Sequence, residues 1–332
     1  MTTSLAGKRV LITGAGGFIG SHLTEQAVAA GAKVRAIVHY NGRGDLGHLT
    51  QLDAAARDAV EIVSSDVRDR TAMKQAVEGC DVVLHLAALI GIPYSYRAPQ
   101  SYVDVNIVGT LNNLEACRDV GVARLVHTST SETYGTAQYV PIDEKHPLHA
   151  QSPYAATKVA ADQLAYSYFA SFQTPVVIVR PFNTYGPRQS MRAVIPTIIA
   201  QALAGDQLKL GSLTPVRDFL YVKDTARGFL AAATANESVL GEVLNLGTGV
   251  GVTIGDVVDR VGKRLNKQLK VTTNDDRLRP EKSEVLQLLC SAEKTKRLTG
   301  WEPKVDLDAG LAETIAWIDQ HRDKYRAGEY AV

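Results

Sequence analysis

The sequence has few cysteines and no long apolar run. Its three cysteines, Cys80, Cys117 and Cys290, are too widely spaced among 332 residues for a disulfide framework or a zinc site. We expect them to be buried thiols in a reducing compartment, the cytosol. The longest nearly apolar segment, 82–93, is too short to span a membrane and contains a histidine. Residues 1–8 lack an apolar core, so no signal peptide is expected.

The sequence also lacks an excess of either charge. Its 36 Lys and Arg against 35 Asp and Glu give a formal net charge of +1. This balance gives no electrostatic reason to expect binding to nucleic acid or to an anionic membrane. There is no internal repeat and no low-complexity linker. A chain of this length has ample core for one large domain or two fused ones.

A strand, a glycine-rich turn, a helix and a second strand follow one another at the start of the chain. Residues 8–13 and 33–38 predict the two strands. The glycines between them allow a tight turn, close approach of the backbone to a pyrophosphate, and close packing of helix on strand. The helix N-terminus offers unpaired N–H groups and a partial positive charge to phosphates. This order predicts a dinucleotide site at Gly14, Gly16, Gly17, Phe18, Ile19 and Gly20.

The end of the second strand should decide between NAD and NADP. An acid there favours NAD, whereas basic residues favour the 2′-phosphate of NADP. The chain has His39 and Arg43 and no acid at the expected place, which leaves both cofactors open. The third strand, 61–67, ends in Asp66 and Val67. Asp66 is placed either to bind the adenine amine or to cap the helix that begins near Arg70.

The fourth strand, 80–88, ends in Leu86, Ala87 and Ala88. These small residues either let the backbone approach the cofactor or serve strand–helix packing. His85 lies within the apolar strand, so we expect a core histidine with satisfied hydrogen bonds rather than a catalyst or a metal ligand. No metal site is predicted. A helix over 104–120 places Asn106 near its start, as a further cofactor residue.

Alternating strands and helices over the first ~180 residues predict an α/β fold with a doubly wound parallel sheet. Ligands of such sheets lie beyond the carboxyl ends of the strands. The fifth strand, 124–128, delivers residues 129–132 to that edge, and a helix starts just after Pro153. Tyr154 and Lys158 lie one turn apart on one face of this helix. The pKa of a free tyrosine is ~10, and a nearby ammonium favours its phenolate form. The spacing therefore predicts that Tyr154 and Lys158 act as an acid–base pair.

Three motifs resemble the extended short-chain dehydrogenase/reductase family. They are the glycine turn, Tyr154-x-x-x-Lys158 and residues 180–187, and the resemblance covers essentially the whole chain. Within the family the chain looks most like nucleotide-sugar 4,6-dehydratases. It is most similar to the retaining N-acetylglucosamine-nucleotide dehydratases of legionaminic-acid-type pathways, through residues 92–96, 130–138, 210–219 and 277–285.

The resemblance implies a reaction in which C4 of the sugar is oxidised, water is eliminated across C5–C6, and the hydride returns to C6. It implies that Tyr154 is the base on the C4 hydroxyl and that Thr130 shares this hydroxyl. Lys158 would tune the tyrosine and hold the nicotinamide ribose. Glu132 would take the C5 proton and pass it to the departing C6 oxygen, and Ser131 completes the implied catalytic set. The cofactor would stay bound because each turnover regenerates it.

Related activities differ at the same positions. The 4-epimerases usually lack an acid at position 132, and thymidine-diphosphoglucose dehydratases usually have Asp where this chain has Ser131. GDP-mannose dehydratases carry a similar Thr-Ser-Glu and stay open as an alternative. UDP-glucuronate decarboxylases carry an arginine where this chain has Ser152-Pro153. A catalytically dead nicotinamide-binding sensor is the non-enzymatic alternative, and the intact catalytic residues argue against it.

The resemblance also implies a smaller, interleaved C-terminal α/β domain that binds the nucleotide sugar. The predicted cofactor domain is 1–182 and 219–248, and the predicted substrate domain is 183–218 and 249–332. Arg217 and Arg279 are the expected diphosphate pair, since two planar donor forks suit phosphate oxygens. A homodimer through helices 104–120 and 153–170, and a UDP- or GDP-linked N-acetylglucosamine as substrate, are implied as well. Further substrate contacts are expected at Pro93, Tyr94, Asn183, Arg192, Val194, Lys209, Leu210 and Glu281.

Overall fold

The computed structural model describes residues 4–274 and 280–325, apart from the side chain of residue 281. Within these residues seven strands form one parallel sheet in the order β10-β6-β5-β4-β1-β2-β3. The strands are β1 (Arg9–Thr13), β2 (Lys33–Val38), β3 (Val60–Ser64), β4 (Val82–His85), β5 (Arg124–Thr128), β6 (Val176–Pro181) and β10 (Val243–Leu246). The predicted doubly wound parallel sheet is confirmed.

Successive residues of the strands face opposite sides of the sheet, so each side has its own apolar core. Val10 and Ile12 of β1 pack in one core, whereas Leu11 packs in the other. Helices α1 (Phe18–Ala29) and α9 (Val222–Thr234) cover the first side. The second side is covered by α3 (Arg70–Val77), α6 (Gly109–Val120) and α7 (Pro153–Phe172). The three cysteines are buried free thiols, as expected.

A separate apolar core lies in the carboxyl-terminal half. Its strands are β7 (Asn183–Tyr185), β8 (Gln207–Leu210), β9 (Val216–Tyr221), β11 (Gly251–Thr253), β12 (Lys270–Thr273) and β13 (Gln287–Leu288). Helices α8 (Val194–Ala204), α10 (Ile254–Leu265) and α12 (Leu307–Gln320) enclose it, with Trp317 partly buried at its side. Strand β10 comes between these elements in sequence but pairs with β6, as expected. The exact domain boundaries stay a prediction.

Several shorter elements connect these strands and helices. The predicted helix over 104–120 begins as a π-helix, Val103–Val108, which continues into α6. The other short helices are α2 (Ala54–Asp58), α4 (Ile92–Arg97), α5 (Pro99–Tyr102), α11 (Glu293–Thr299) and the 3₁₀ segments Gly47–Gln51, Ser131–Tyr134, Glu237–Val239, Glu281–Ser283 and Arg322–Lys324. Over the residues described, no helix has the length and apolar character to cross a membrane.

Candidate active site

The chain turns sharply after β5, and this turn places Thr130 and Glu132 at the carboxyl edge of the sheet. Thr130 is the N-cap of the 3₁₀ helix Ser131–Tyr134, and its Oγ1 accepts a hydrogen bond from the Glu132 N–H at 3.3 Å. Ser131 is buried, whereas Thr130 and Glu132 are partly exposed. The turn therefore leaves a hydroxyl and a carboxylate at the rim where ligands of doubly wound sheets bind.

Helix α7 begins at Pro153, as predicted. The Oγ of Ser152 caps it by accepting a hydrogen bond from the Ala155 N–H at 3.1 Å, and proline suits the first helical position because it has no N–H to satisfy. Tyr154 and Lys158 share one face of the helix and are only 8% and 4% exposed. The cap therefore fixes where the helix starts and so which side chains enter the site.

The structure brings Tyr154, Thr130 and Glu132 together. Burial raises the pKa of Tyr154, a hydrogen bond with the Thr130 side chain opposes that rise, and the nearby charge of Glu132 adds to it. The sequence led us to expect that Lys158 would lower the pKa of this phenol. The net shift of the Tyr154 pKa is upward with burial as its largest cause, so the phenol holds its proton at neutral pH.

Lys158 lies deeper in the protein. Burial lowers its pKa to about 8, although the charge of Asp162 opposes the change. His85 and His127 lie near it on neighbouring strands, and burial lowers the pKa of both. His85 bonds through Nδ1 with Thr13 Oγ1 at 2.8 Å and through Nε2 with Thr110 Oγ1 at 3.2 Å. It is the satisfied core histidine that the sequence predicted.

The glycine turn has the geometry of an anion site. Gly14 has φ +69°, and a Cβ on Gly20 would collide with the Gly14 carbonyl oxygen, so the turn and the helix packing both require glycine. Gly17 is the N-cap of α1, no side chain caps the helix, and its first turn contains no acid. The N–H groups of Phe18 and Ile19 therefore begin a helix whose end suits a pyrophosphate. Gly16 is partly exposed beside them.

The adenosine end of the predicted cofactor site is lined by charged groups that already pair. Arg68 donates hydrogen bonds to Asp66 and lowers the pKa of that carboxyl to about 2, and His39 Nε2 lies 3.7 Å from Asp66 Oδ2. Asp66 does not cap α3, because Asp69 accepts the hydrogen bond from the Ala72 N–H. Arg43 is exposed and Val67 is buried. Sequence reasoning missed Ser65, whose buried Oγ has no hydrogen-bond partner within the described residues.

Asn106 connects the segment after β4 to α7. Its side chain accepts from the Leu89 N–H at 2.8 Å and donates to the Leu89 carbonyl and to Thr157 Oγ1, both at 3.0 Å. The π-helix turns this side chain inward from the start of α6. Ala87 packs against the glycine turn, since a Cβ on Gly14 would lie 2.9 Å from the Ala87 nitrogen. Leu86 and Ala88 are partly buried beside it.

The residues predicted to contact the substrate differ in their burial and in their hydrogen-bond partners. Arg217 is buried and pairs with Glu284 at 3.2 Å, and Asn183 has a buried Oδ1 without a hydrogen-bond partner in the described part of the chain. Tyr94 and Arg192 are exposed, Pro93 lies in α4, and Val194 is the first residue of α8. The Lys209 N–H and carbonyl both bond to the Gln201 side chain, and Leu210 is buried. Arg279 and the side chain of Glu281 lie outside the described residues.

Comparison with known proteins places the chain among relatives over nearly its whole length. A family model described as GDP-mannose 4,6 dehydratase matches residues 11–314. A UDP-glucuronate 4-epimerase of Thermodesulfobacterium geofontis is 32% identical over 319 residues, covering 94% of this chain and 96% of the relative. A dTDP-glucose 4,6-dehydratase of an Actinoplanes species is 32% identical over 321 residues, covering 95% and 98%. The solved dTDP-glucose 4,6-dehydratase of Streptomyces venezuelae, with NAD bound, has TM-score 0.83 at 29% identity and covers 96% and 99%.

The fold, the glycine turn and the Tyr154–Lys158 helix define an extended short-chain dehydrogenase/reductase, an enzyme of the nucleotide-sugar dehydratase and epimerase superfamily. The chain belongs to the GDP-mannose 4,6-dehydratase family.

Proposed function

We propose that the chain is a nucleotide-sugar 4,6-dehydratase that forms a 4-keto-6-deoxy sugar, with UDP- or GDP-linked N-acetylglucosamine as substrate. One observation carries the proposal. Glu132 lies close enough to Tyr154 for its charge to raise the pKa of the phenol, so a carboxylate and the Thr130–Tyr154 pair share one site. A 4-epimerase has no elimination step and no use for that carboxylate.

The residues present fit a nicotinamide dinucleotide, NAD or NADP. The uncapped first turn of α1 supports this, as does the unpartnered Ser65 Oγ beyond β3. Residues 14–20 would hold the pyrophosphate, Ser65 and Asp66 the adenosine, and Lys158 the nicotinamide ribose. A nicotinamide bound there would supply the hydride chemistry of the reaction, oxidation at C4 and reduction at C6.

The chain's own groups would move the protons. Tyr154, whose hydroxyl bonds with Thr130, takes the proton of the C4 hydroxyl in its phenolate form; burial opposes that form, and the neighbouring Lys158 ammonium favours it. Glu132 then removes the C5 proton, which the adjacent ketone has made acidic. The same carboxyl donates this proton to the C6 oxygen, which departs as water while the C5–C6 double bond forms.

The relatives include both dehydratases and 4-epimerases, and the site favours the former. Ser152 and Pro153 stand where the decarboxylases carry an arginine for the uronate carboxylate, which disfavours that reaction. GDP-mannose stays a second candidate substrate because its dehydratases share the Thr-Ser-Glu sequence. We further propose that the enzyme acts in the cytosol as a homodimer and binds neither nucleic acid nor membrane.

The test is incubation of the purified protein with UDP- and GDP-linked N-acetylglucosamine, GDP-mannose, dTDP-glucose and UDP-glucuronate in deuterated water. A dehydratase gives a 4-keto sugar, visible as absorbance after alkaline treatment, whose mass shows loss of water and one deuterium at C5. An epimerase returns a sugar of unchanged mass. Tyr154→Phe should stop all turnover, whereas Tyr102→Phe, the ring packed edge-on at 6.3 Å, should retain it. No product with any substrate would favour the catalytically dead sensor.

A further inference from the structure

A carboxylate in the core behind the active site binds three side chains from two other elements. Asp162 of α7 is 2% exposed, and its Oδ2 accepts hydrogen bonds from Ser129 Oγ at 2.5 Å and from Arg180 Nη2 at 2.7 Å. Its Oδ1 lies 3.2 Å from His127 Nε2. Arg180 also donates from Nε to Ser129 Oγ at 3.1 Å. One side chain thus connects α7 to the ends of β5 and β6.

Burying this cluster of charged groups costs solvation free energy. A buried carboxylate and guanidinium lose their hydration, and apolar residues of similar size often stabilise a fold as well or better. Burial opposes ionisation of Asp162, but Arg180 and His127 outweigh it and lower the pKa of the carboxyl to about 2, so the charge persists. A charge kept at this cost suggests a role beyond packing.

The cluster touches the catalytic groups on two sides. Ser129 directly precedes Thr130, whose side chain bonds with Tyr154. Asp162 lies four residues after Lys158 on α7, one turn along the same face. The carboxylate is therefore hydrogen-bonded to Ser129, the residue before one catalytic side chain, and lies one helical turn from another.

We propose that Asp162 is a positioning residue of the proposed dehydratase, which ties the end of β5 to α7 and supplies the counter-charge of the Lys158 ammonium. The proposal rests on the proposed function for the roles of Thr130 and Lys158. The tie through Ser129 sets how Thr130 meets Tyr154. The charge keeps the buried lysine protonated in surroundings that would otherwise favour its neutral form.

The groups around Lys158 agree with this assignment. His85 on β4 and His127 on β5 are neutral at physiological pH because burial lowers their pKa values, and the charge of Lys158 lowers them further. Tyr154 on the same helix holds its proton. Glu132 contributes its charge to Tyr154, and Arg180 is paired with Asp162. Asp162 is the charge whose effect on Lys158 raises the lysine pKa.

The test compares Asp162→Asn with Ser129→Ala. Asp162→Asn removes the counter-charge and leaves Arg180 uncompensated, so the pKa of Lys158 falls and the alkaline limb of the kcat–pH profile moves about one pH unit towards acid. We expect kcat at its optimum to fall on the order of 100-fold, because Thr130 is also displaced. Ser129→Ala keeps the Asp162–Arg180 ion pair, so it should lower kcat roughly tenfold with the alkaline limb unchanged.

A readout without turnover separates this proposal from the proposed function. In protein labelled at lysine Cε with ¹³C, the Lys158 resonance, assigned by its absence in Lys158→Arg, should titrate at lower pH in Asp162→Asn than in the parent. Asp224→Asn is the matched control, since Asp224 is likewise buried, at 1% exposure, and accepts from the Lys304 and Val305 N–H groups. It lies on α9, which covers the opposite side of the large sheet from α7. In Asp224→Asn the Lys158 resonance should titrate at the same pH as in the parent.

An unchanged Lys158 titration in Asp162→Asn overturns the proposal, whether or not the parent makes a 4-keto sugar. If Asp162→Asn does not fold, Ser129→Ala decides. A parent-like kcat in Ser129→Ala would show that the tie to β5 does not position Thr130. If the parent binds a nicotinamide dinucleotide but makes no 4-keto sugar, the proposed function is refuted. The Lys158 titration then still tests whether Asp162 supplies the counter-charge.

Discussion

Two carboxylates close to the Tyr154–Lys158 pair differ in their surroundings. Glu132 is partly exposed at the rim and influences the phenol through its charge, whereas Asp162 is buried and fixed by an arginine, a serine and a histidine. A proton-transfer group needs access to the substrate, and a positioning group needs rigid partners. The surroundings therefore assign the two acids different tasks.

Glu132→Gln separates the two halves of the proposed reaction. The amide keeps the shape of the side chain but cannot take the C5 proton, so dehydration should slow about 10³-fold while C4 is still oxidised. The expected result is a 4-ketohexose that retains its C6 oxygen, trapped by borodeuteride and detected by mass spectrometry, with no deuterium entering at C5 from solvent. Glu313→Gln in α12 is the control and should turn over normally. A Glu132→Gln variant as active as the parent would contradict the role of this acid.

The pKa of Lys158 sets an expected alkaline limit to the reaction. Burial lowers the lysine pKa to about 8, so the ammonium is present below that value and is lost as the pH rises through it. Because the charged form favours the Tyr154 phenolate, kcat should decline above pH ~8. Lys158→Arg keeps its charge at all these pH values, so any activity it retains should lack this limb. A parent profile that rises steadily to pH 10 would rule out the ammonium as the active form.

At the scale of elements, the glycine turn and α1 act as one unit. A Cβ at position 20 would collide with the Gly14 carbonyl and lie 2.9 Å from Ala15 Cα, both backbone atoms that cannot move aside cheaply. Gly20→Ala should therefore push α1 away from β1, lower the free energy of unfolding by about 1–3 kcal/mol and weaken NAD binding at least tenfold. Thermal unfolding and a fluorescence titration with NAD measure these two effects.

Gly205→Ala is the control for that substitution. Nothing lies within 4 Å of a Cβ at position 205, and its φ of −171° suits any residue. We expect parent-like unfolding and NAD affinity. If Gly20→Ala behaved in the same way, the close packing of helix on strand would not be what shapes the predicted pyrophosphate site.

The elements that the sequence predicted well are those with a local signal. Strands β2 and β5 have the predicted bounds, because each is a short apolar run between turn residues. The start of α7 is predicted from Pro153, and 243–246 falls within the segment 219–248 assigned to the cofactor domain. The pattern could not separate Asp66 from Asp69 as the cap of α3, since both precede the helix and only the backbone geometry decides.

Long-range contacts account for what the sequence did not reveal. Asp162 is visible four residues after Lys158, yet its partners Ser129 and Arg180 come from two other segments of the chain. The unpartnered oxygens of Ser65 and Asn183 are recognisable only once burial is known. Strand β13 has only two residues and forms by pairing with β9. Two residues are too few for a periodic pattern, so the sequence alone could not predict this strand.

At the scale of the whole molecule, one arginine fastens the predicted cofactor half to the predicted substrate half. Arg188 follows β7, has φ +71° and is 6% exposed. Its guanidinium donates to Ser21 Oγ at 3.2 Å and to Glu25 Oε1 at 2.6 Å, both on α1. The guanidinium carbon also lies over the ring of Trp317 in α12, 5.6 Å from the ring centroid. The helix that begins the predicted cofactor site is therefore held by the part of the chain expected to bind the sugar nucleotide.

The last prediction concerns the homodimer. We expect two copies to pack through the outer surface formed by α7 and by the π-helix that leads into α6. Val108, Tyr166 and Phe172 are 38%, 51% and 52% exposed, so the helices expected to form a dimer carry exposed apolar side chains. Tyr166→Glu places a charge on this surface, so light scattering should show the parent at twice 35.8 kDa and the variant shifted to monomer, with a dimer Kd raised at least 100-fold. Tyr139→Glu, on a loop and 45% exposed, should stay dimeric. A monomeric parent at micromolar concentration would contradict the assignment of these helices to a dimer interface.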